Sequence, residues 1–380
     1  MQHALFEPPH TAPLSEAEKL AWLRLSRTEN IGPMTCKRLI ERYGTATKAL
    51  SALPDLAKRG GRAKPLIPTP LPAIEKEYTA LHKLGGHLIT LACDSYPYLL
   101  SITEDAPPVL SVIGNPSLLK QNAIAMVGAR NASLNGRKMA EKLARDLGMR
   151  EQIIVSGLAR GIDTAAHQGA LSTGTIAVVA GGIDVIYPEE NASLYNAIKE
   201  QGLILAESPL GQKPFAQSFP RRNRIVSGLS RACIVMEATM RSGSLITARL
   251  AGEQGREVMA TPGSPLDPRA EGPNHLIREG ATLIRNANDV LEALLNYTGN
   301  AMHEPFQPAL VPTPEYFSEE DLPETLQDDI LALLTTTPVD IDSLLRETGI
   351  PIPALQSVLL DLELAERIKR LPGNRVCLTA

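Results

Sequence analysis

The middle of the chain alternates short apolar segments with longer amphipathic ones, and this alternation limits the fold more than any other feature. Helix-like stretches such as 135–148 and 191–202 lie between the apolar segments. Strands that are apolar on both faces must be covered by helices on both faces, so the pattern predicts an α/β domain with a doubly wound, mostly parallel sheet. The six apolar segments, rich in valine, isoleucine and alanine, are 123–128, 152–157, 175–182, 203–208, 233–238 and 257–263.

Ligands of such a sheet bind beyond the carboxyl ends of its strands, and several of these ends carry anion-binding groups. Glycine lets the backbone approach a ligand closely, and a helix N-terminus offers free amides and the positive end of the helix dipole. No dinucleotide fingerprint follows the first strand and no P-loop motif occurs, so NAD and ATP binding are disfavoured. The groups at the strand ends are Arg130, Ser156, Gly157, Arg160, Gly161, Ser242, Gly243 and Ser244.

The segment SFPRRNRIVSGLS, residues 218–230, concentrates positive charge in a chain whose net charge is −4. Residues 216–256 hold seven arginines and two glutamates, a local net charge of +5. Arginine binds phosphate with two parallel hydrogen bonds, and an aromatic ring offers a base a stacking surface. We expect a phosphate-binding loop that IVSGLS fixes to the sheet; for any single residue, core packing or helix-end pairing is an equal alternative. The cluster is Phe219, Arg221, Arg222, Asn223 and Arg224.

Asp163 and His167 lie four residues apart in a predicted helix, so they are candidates for an acid–base pair. Asp163 also stands where a helix N-cap is expected, and His167 can form a local hydrogen bond. We favour these structural roles, since no serine–histidine–aspartate order or paired-carboxylate spacing indicates an enzyme.

The four cysteines are far apart and form no C-x-x-C pair, so neither a disulfide framework nor a metal site is expected. No cofactor is expected either. The N-terminus lacks the basic-then-apolar pattern of a signal peptide, and no apolar run approaches the length of a membrane span. These features predict a cytoplasmic protein without membrane insertion.

Two proline-containing segments, 53–72 and 298–323, have the composition of linkers. We therefore predict three domains. They are an N-terminal helical domain with its linker at 1–72, the sheet domain at 73–297 and, after the linker 298–323, a C-terminal domain at 324–380.

The N-terminal domain contains an Ile-Gly-Pro turn at 31–33 before a short helix that ends at Gly44, a plausible C-cap. This arrangement is similar to a SAM-like or helix-hairpin-helix unit, whose turn amides can face a phosphate. A small helical packing unit is the favoured alternative.

The C-terminal domain has the pattern of a winged helix, with three helices and a short hairpin at 372–374. Residues 324–380 contain nine acidic and five basic residues, and the helix in the recognition position has no lysine or arginine before Arg367. A helix that reads duplex DNA needs donors to phosphates and base edges. We therefore favour contact with protein over DNA reading for this domain.

Six blocks in order closely resemble the DNA-processing protein A (DprA/Smf) family: VGAR, SGLARGIDTAAHQGAL, GGIDVIYPEEN, FPRRNRIVSGLS, SGSLITARLA and TPG. The resemblance covers about residues 95–295. It implies a Rossmann-like domain that binds single-stranded DNA, loading of the RecA recombinase in natural transformation, and a homodimer. One departure is that Ala216, Gln217 and Ser218 precede Phe219 where members often carry histidine or lysine. The family's DNA site maps onto Arg130, Ser156, Gly157, Arg160, Gly161, Phe219, Arg221, Arg222, Asn223, Arg224, Ser242, Gly243 and Ser244.

Two other functions remain open. The sheet domain is also similar, more weakly, to nucleotide phosphoribohydrolases of the lysine-decarboxylase-like family, but Thr247 stands where that family has its catalytic glutamate. A nucleotide-sensing regulator that binds DNA through its tail is the other alternative, and it conflicts with the acidic charge of residues 324–380.

Overall fold

The computed structural model describes residues 14–59, 66–300, 326–371 and 373–379. They form two compact units: the described residues of 1–19 and 72–302 make up the first, and those of 20–71 and 303–380 make up the second. The N-terminal and C-terminal segments thus share one unit. The predicted boundaries at 72, 297 and 323 stay predictions, and most of the second predicted linker lies outside the described residues.

Fifteen α-helices and twelve strands occur in the described part of the chain. The helices are α1 (Glu16–Arg27), α2 (Pro33–Tyr43), α3 (Ala46–Arg59), α4 (Leu71–Lys83), α5 (Tyr98–Ser101), α6 (Leu134–Gly148), α7 (Ile162–Ala170), α8 (Ala192–Gln201), α9 (Ser218–Gly228), α10 (Gly243–Glu253), α11 (Glu271–Arg278), α12 (Ala287–Asn300), α13 (Leu326–Leu333), α14 (Ile341–Thr348) and α15 (Ile352–Leu364). The strands are β1 (Gly86–Thr90), β2 (Val109–Gly114), β3 (Ala123–Val127), β4 (Ile153–Ser156), β5 (Thr175–Val179), β6 (Leu203–Ala206), β7 (Ala232–Val235), β8 (Glu257–Ala260), β9 (Thr282–Leu283), β10 (Val339–Asp340), β11 (Ile368–Leu371) and β12 (Arg375–Leu378).

The first unit is built on a nine-stranded sheet of order β1–β2–β6–β5–β4–β3–β7–β8–β9. The strands from β6 to β9 in this order run parallel to their neighbours. β1, β2 and β6 pair antiparallel. The six predicted segments are the six strands from β3 to β8, which confirms the doubly wound, mostly parallel, Rossmann-like sheet.

Side chains of the central strands alternate between two cores. Ala125 and Val127 of β3 belong to the core shared with α9 and α10, whereas Ile124 and Met126 belong to the core shared with α6 and α7. Successive side chains of a strand point to opposite faces, so burial on both faces requires a continuous apolar run. This is the physical origin of the pattern in the sequence.

The arginine-rich segment was predicted as a loop, and this prediction was wrong. Residues Ser218–Gly228 form helix α9, and Ile225 and Val226 pack it onto the sheet through the core with α10. The helix fixes the direction of each arginine side chain, which a loop would not.

In the second unit, the C-cap at Gly44 is confirmed, with φ at 78° and its N–H donating to Ile40 O. The predicted hairpin is confirmed as β11 and β12, which pair antiparallel beside β10. The predicted linker 53–72 is wrong at its start, because α3 continues to Arg59 and Leu53 and Leu56 are fully buried. Apolar residues at helical spacing outweigh Pro54 there.

No helix in the described ranges combines the length and the apolar character that a membrane span requires.

Candidate nucleic-acid interface

The first cleft lies where the sheet reverses its strand order. β3 and β7 are neighbours, but the chain leaves β3 for β4 on one side and returns to β7 on the other. Ligands of open α/β sheets bind in the crevice that forms at such a point. This cleft measures about 560 Å³, and its walls come from residues 127–131, 239–247 and 219–226.

A second cleft, of about 730 Å³, lies over the carboxyl ends of β4 and β5. Its walls include residues 157–160, 179–190 and 213–214. The two clefts adjoin, because four residues line both of them. These shared residues are Arg130, Gly157, Ala159 and Arg222. An extended ligand that follows the strand ends would therefore contact both clefts.

Arg222 of α9 lies at this boundary and is 7% exposed. Its Nη1 donates to Val178 O at 2.9 Å, while its Nε has no hydrogen-bond partner among the described residues. Burial lowers the pKa of Arg222 to about 10; the Asp163 carboxylate opposes this shift and Arg130 adds to it. The guanidinium is therefore still charged at neutral pH and retains donor capacity for an anion in the clefts.

Asp163 supports the loop after β4. Its Oδ2 accepts hydrogen bonds from the backbone N–H of Gly157 at 3.1 Å and of Ala159 at 3.3 Å. Burial raises the pKa of Asp163, whereas Arg222 and the two amides lower it. The predicted N-cap role is wrong, because α7 begins at Ile162 with Gly161 in the cap position.

Aromatic rings border both clefts. The guanidinium of Arg130 lies 5.0 Å from the ring centre of Phe219. The ring of Tyr187, which is half exposed and lines the second cleft, lies 5.8 Å from that of Phe219. A planar base in either cleft would therefore find an aromatic face beside a guanidinium.

The start of α10 supplies hydroxyl and amide groups to the first cleft. Ser242 is its N-cap, and its Oγ accepts from Ser244 N at 3.3 Å and lies 2.6 Å from Ser244 Oγ. Asn223 of α9 donates to Gly243 O at 3.4 Å, which ties the two helices together. A helix N-terminus with free amides and the positive dipole end favours an anion.

The comparisons with known proteins decide the family. Residues 87–295 match the family described as DNA recombination-mediator protein A. Residues 16–80 match the DprA-like N-terminal HHH domain, and residues 313–374 match the DprA winged helix domain. The chain belongs to the DNA-processing protein A (DprA/Smf) family. These matches also confirm the helix-hairpin-helix and winged-helix interpretations of the flanking segments.

Relatives in this family share much of the sequence. The chain is 38% identical over 326 residues to Protein Smf of Escherichia coli, covering 83% of each chain. It is 50% identical over 200 residues to DNA processing protein DprA of Streptococcus pneumoniae, covering 52% of this chain and 71% of the relative.

Two solved DprA structures have the same fold. The S. pneumoniae structure matches with a TM-score of 0.64 and 38% identity, covering 74% of this chain and 98% of that one. A Helicobacter pylori structure, described as showing a single-stranded DNA binding mode, matches with a TM-score of 0.51 and 31% identity. It covers 56% of this chain and 96% of that one.

Nine of the thirteen DNA-site residues mapped from the DprA family line the clefts. Arg160 lines the second cleft, is exposed, and lies 3.6 Å from Glu190 in an ion pair. The others line the first cleft, and some line both: Arg130, Gly157, Phe219, Arg222, Asn223, Ser242, Gly243 and Ser244.

The other four lie outside the residues that line the clefts. Ser156 is buried and donates to Met126 O, and Arg221 is exposed on α9. Gly161 has a φ of 81° and lies against Ala129 O, so it lets the loops after β3 and β4 approach each other. Arg224 is buried in ion pairs, at 2.6 Å from Glu207 and 3.3 Å from Asp105.

His167 is a core residue, in agreement with the favoured structural role, but its hydrogen bond is to Thr175 in the core and not to a local group. It is fully buried, and its Nδ1 lies 2.7 Å from Thr175 Oγ1. Burial lowers the pKa of His167 to about 3, and Arg222 adds to the lowering. An imidazole in this position is neutral and has no access to a substrate.

The lining residues that sequence reasoning missed include Tyr187, Lys213 and Arg269. Tyr187 had a usable signal, because it lies in the block GGIDVIYPEEN that follows β5. Lys213 lies outside the helices and strands and Arg269 lies in a short 3-10 helix, Pro268–Ala270, and no local sequence pattern marks either residue. Among the described residues, no group of three or more histidine, cysteine or acidic side chains is arranged to hold a metal ion.

Proposed function

We propose that this chain binds single-stranded DNA in the two adjoining clefts and loads RecA recombinase onto it in natural transformation, without catalysing a reaction. The observation that carries the proposal is the boundary between the clefts. There Arg222 and Arg130 line both clefts, the guanidinium of Arg130 lies 5.0 Å from the ring centre of Phe219, and that ring lies 5.8 Å from the ring of Tyr187. Alternating cations and aromatic faces along a groove suit a chain of phosphates with unstacked bases.

The shape of the groove supports a single strand over a duplex. The donors at the boundary of the clefts include the buried Arg222, and duplex bases are paired and stacked away from such a recessed group. The H. pylori relative, described with a single-stranded DNA binding mode, has the same sheet domain.

RecA loading, a homodimeric state and a cytoplasmic location complete the proposal and rest on the family resemblance. Loading is tested by adding the chain to RecA and single-stranded DNA coated with a single-strand-binding protein. RecA's DNA-dependent ATP hydrolysis should then begin sooner. An unchanged lag in the presence of bound chain would contradict the loading step and leave DNA binding intact.

The binding step is tested by fluorescence anisotropy of labelled oligo(dT), titrated across salt with matched duplex as competitor. Three to five phosphate contacts predict a log–log salt slope of roughly −2 to −4. Duplex DNA should compete poorly. Absence of binding at low salt would overturn the proposal.

Nucleotide hydrolysis is the alternative, and the first cleft gives it little support. Thr247 lines this cleft where the related hydrolases carry glutamate. Asp163 is the only carboxylate on the lining of this cleft within the described residues, and it accepts two backbone hydrogen bonds beside Arg222. Release of free base from AMP would revive the hydrolase hypothesis.

A further inference from the structure

Acidic side chains of the winged-helix domain lie against one face of α2 in the N-terminal domain. Glu363 Oε2 lies 3.2 Å from Arg38 Nη1, and Glu363 Oε1 accepts from Thr35 Oγ1 at 3.3 Å. Asp361 Oδ1 lies 3.1 Å from Arg42 Nη1. Residues 35, 38 and 42 are spaced so that they share one side of a helix. Both partners belong to the second compact unit.

The contact extends to the turn of the helix-hairpin-helix. Asn30, just before this turn, donates its side-chain amide to Glu366 of the winged-helix domain. Gly32 caps α2 without a side-chain hydrogen bond. The carboxylates of the winged-helix domain therefore meet α2 on the side where a helix N-terminus and two arginines favour anions.

We use the name N-terminal basic face for the residues Asn30, Thr35, Arg38 and Arg42. The two helices that form this region, α2 and α3, carry six lysines and arginines and two acidic residues, a net charge of +4. Helix α15, the helix in the recognition position of the winged helix, contains two acidic and no basic residues. Phosphate has the charge and the acceptor geometry of the carboxylates that now contact these arginines.

Glu363 also balances a second arginine. Arg370 of β11 has a side chain that is 4% exposed, and its Nε lies 3.5 Å from Glu363. Its Nη2 has no hydrogen-bond partner among the described residues. Burial lowers the pKa of Arg370 to about 10, and Arg38 adds to the lowering. Loss of the Glu363 charge would leave Arg38 and Arg370 close together without their shared counter-ion.

We propose that the N-terminal basic face is a second DNA-binding surface, for the phosphate backbone, which the carboxylates of the winged-helix domain cover in cis. The winged-helix domain is then an intramolecular inhibitor, and its α15 faces protein where a duplex-reading winged helix would face a groove. The proposal does not depend on the clefts of the sheet domain, because none of its residues belongs to them.

The test uses the full chain with Asp361→Asn and Glu363→Gln, which remove two charges with little change of shape. Binding to a labelled 20-base-pair duplex is measured by anisotropy at low salt. Affinity should rise about tenfold, since two more arginines become available to phosphates. The control Asp328→Asn with Asp329→Asn removes the same charge from exposed positions of α13 and should leave affinity within about twofold.

The gain must come from the uncovered arginines. Adding Arg38→Gln and Arg42→Gln to the Asp361→Asn, Glu363→Gln chain should abolish its gain in duplex affinity. The charge swap Arg38→Glu with Glu363→Arg should leave duplex affinity at the native value. All variants, including those without Arg38 and Arg42, should still bind oligo(dT), because the clefts of the sheet domain are unchanged in them. Failure of oligo(dT) binding would therefore count against the proposed function alone.

Two results would overturn the proposal. One is a folded Asp361→Asn, Glu363→Gln chain, verified by circular dichroism, with native duplex affinity. The other concerns Arg38→Gln with Arg42→Gln made in the native chain. If these changes lower duplex affinity there by the same factor as in the Asp361→Asn, Glu363→Gln chain, the face is open already. Because Asp361 is buried, Glu363→Gln alone serves as a second variant, with an expected gain of about threefold.

Discussion

The guanidinium of Arg222 occupies the space that a side chain on residue 157 would fill. A Cβ built on Gly157 would overlap Nη1 and Cζ of Arg222. The carbonyl of Val178 accepts from this Nη1, so the guanidinium has a partner holding it in place. Gly157 and Arg222 thus depend on each other at the boundary of the clefts. The absence of a side chain at residue 157 leaves room for the Arg222 guanidinium.

Gly157→Ala should weaken single-stranded DNA binding without removing any charge. The new methyl group displaces the Arg222 guanidinium from the boundary of the clefts, and affinity for oligo(dT) should fall about tenfold, as expected for one lost charge-assisted contact. Anisotropy measures this loss.

The matched control is Gly252→Ala on the exposed side of α10, where a Cβ has only one neighbour, at 4.0 Å. It should keep native affinity and gain up to about 1 kcal/mol of stability from helix propensity. Equal affinities of the two alanine variants would show that Arg222 does not bind DNA from this position.

Arg222 and Arg224 should give opposite results although they are two residues apart. Arg222→Gln should lower DNA affinity and make the salt slope less steep by about 0.7, the contribution of one phosphate contact. Arg224→Gln removes the two ion pairs that Arg224 forms with Glu207 and Asp105 and should cost about 3 kcal/mol of unfolding free energy with an unchanged slope. Urea unfolding and salt-dependent anisotropy on both variants separate the two effects.

These two arginines also show how far the sequence alone could lead. Apolar runs fixed the strands and hence the edge at which a ligand must bind, and composition located the charge. The roles of Arg222 and Arg224 depend on α9 being a helix, where residues two apart point about 200° apart. Whether a helix or a loop carries them was decided by packing of Ile225 and Val226 on the sheet, a contact distant in sequence.

The contact between the two segments of the second unit could not have been predicted from local patterns. The acidic charge of the winged-helix segment was visible in the sequence and favoured contact with protein. Its partner, Arg38 and Arg42 of α2, lies more than 300 residues away in the chain. Such pairings are selected by complementary charge and shape in the folded chain, and no periodicity in the sequence records them.

Phe219→Ala should weaken binding through the bases and not through the phosphates. Loss of one stacking surface costs about 1–3 kcal/mol per base, roughly 5- to 150-fold in affinity. An abasic strand of equal length should bind the variant and the native chain alike. Tyr98→Ala, which removes an exposed ring that lines neither cleft, is the control. An equal loss on the abasic strand would assign Phe219 to the packing of α9.

His167 should make the fold less stable as pH falls. Its pKa is about 3 in the folded chain and 6.5 ordinarily, so between these values the unfolded chain binds a proton that the native chain does not. The stability is fully present above pH 6.5 and is lost as pH falls toward 3. Asp163, whose pKa burial raises, opposes this trend at lower pH, so the comparison must be made against a variant.

The His167→Gln variant isolates this contribution, because Asp163 titrates in both chains. The unfolding free energy of the native chain, relative to the variant, should fall by about 1 kcal/mol between pH 6.5 and 5.5 and by about 1.3 kcal/mol more at pH 4.5. Urea unfolding at each pH measures this difference. The difference in unfolding free energy between the native chain and the His167→Gln variant could instead be the same at every pH. His167 would then bind its proton equally well in the folded and unfolded chain and would be open to solvent in the native state.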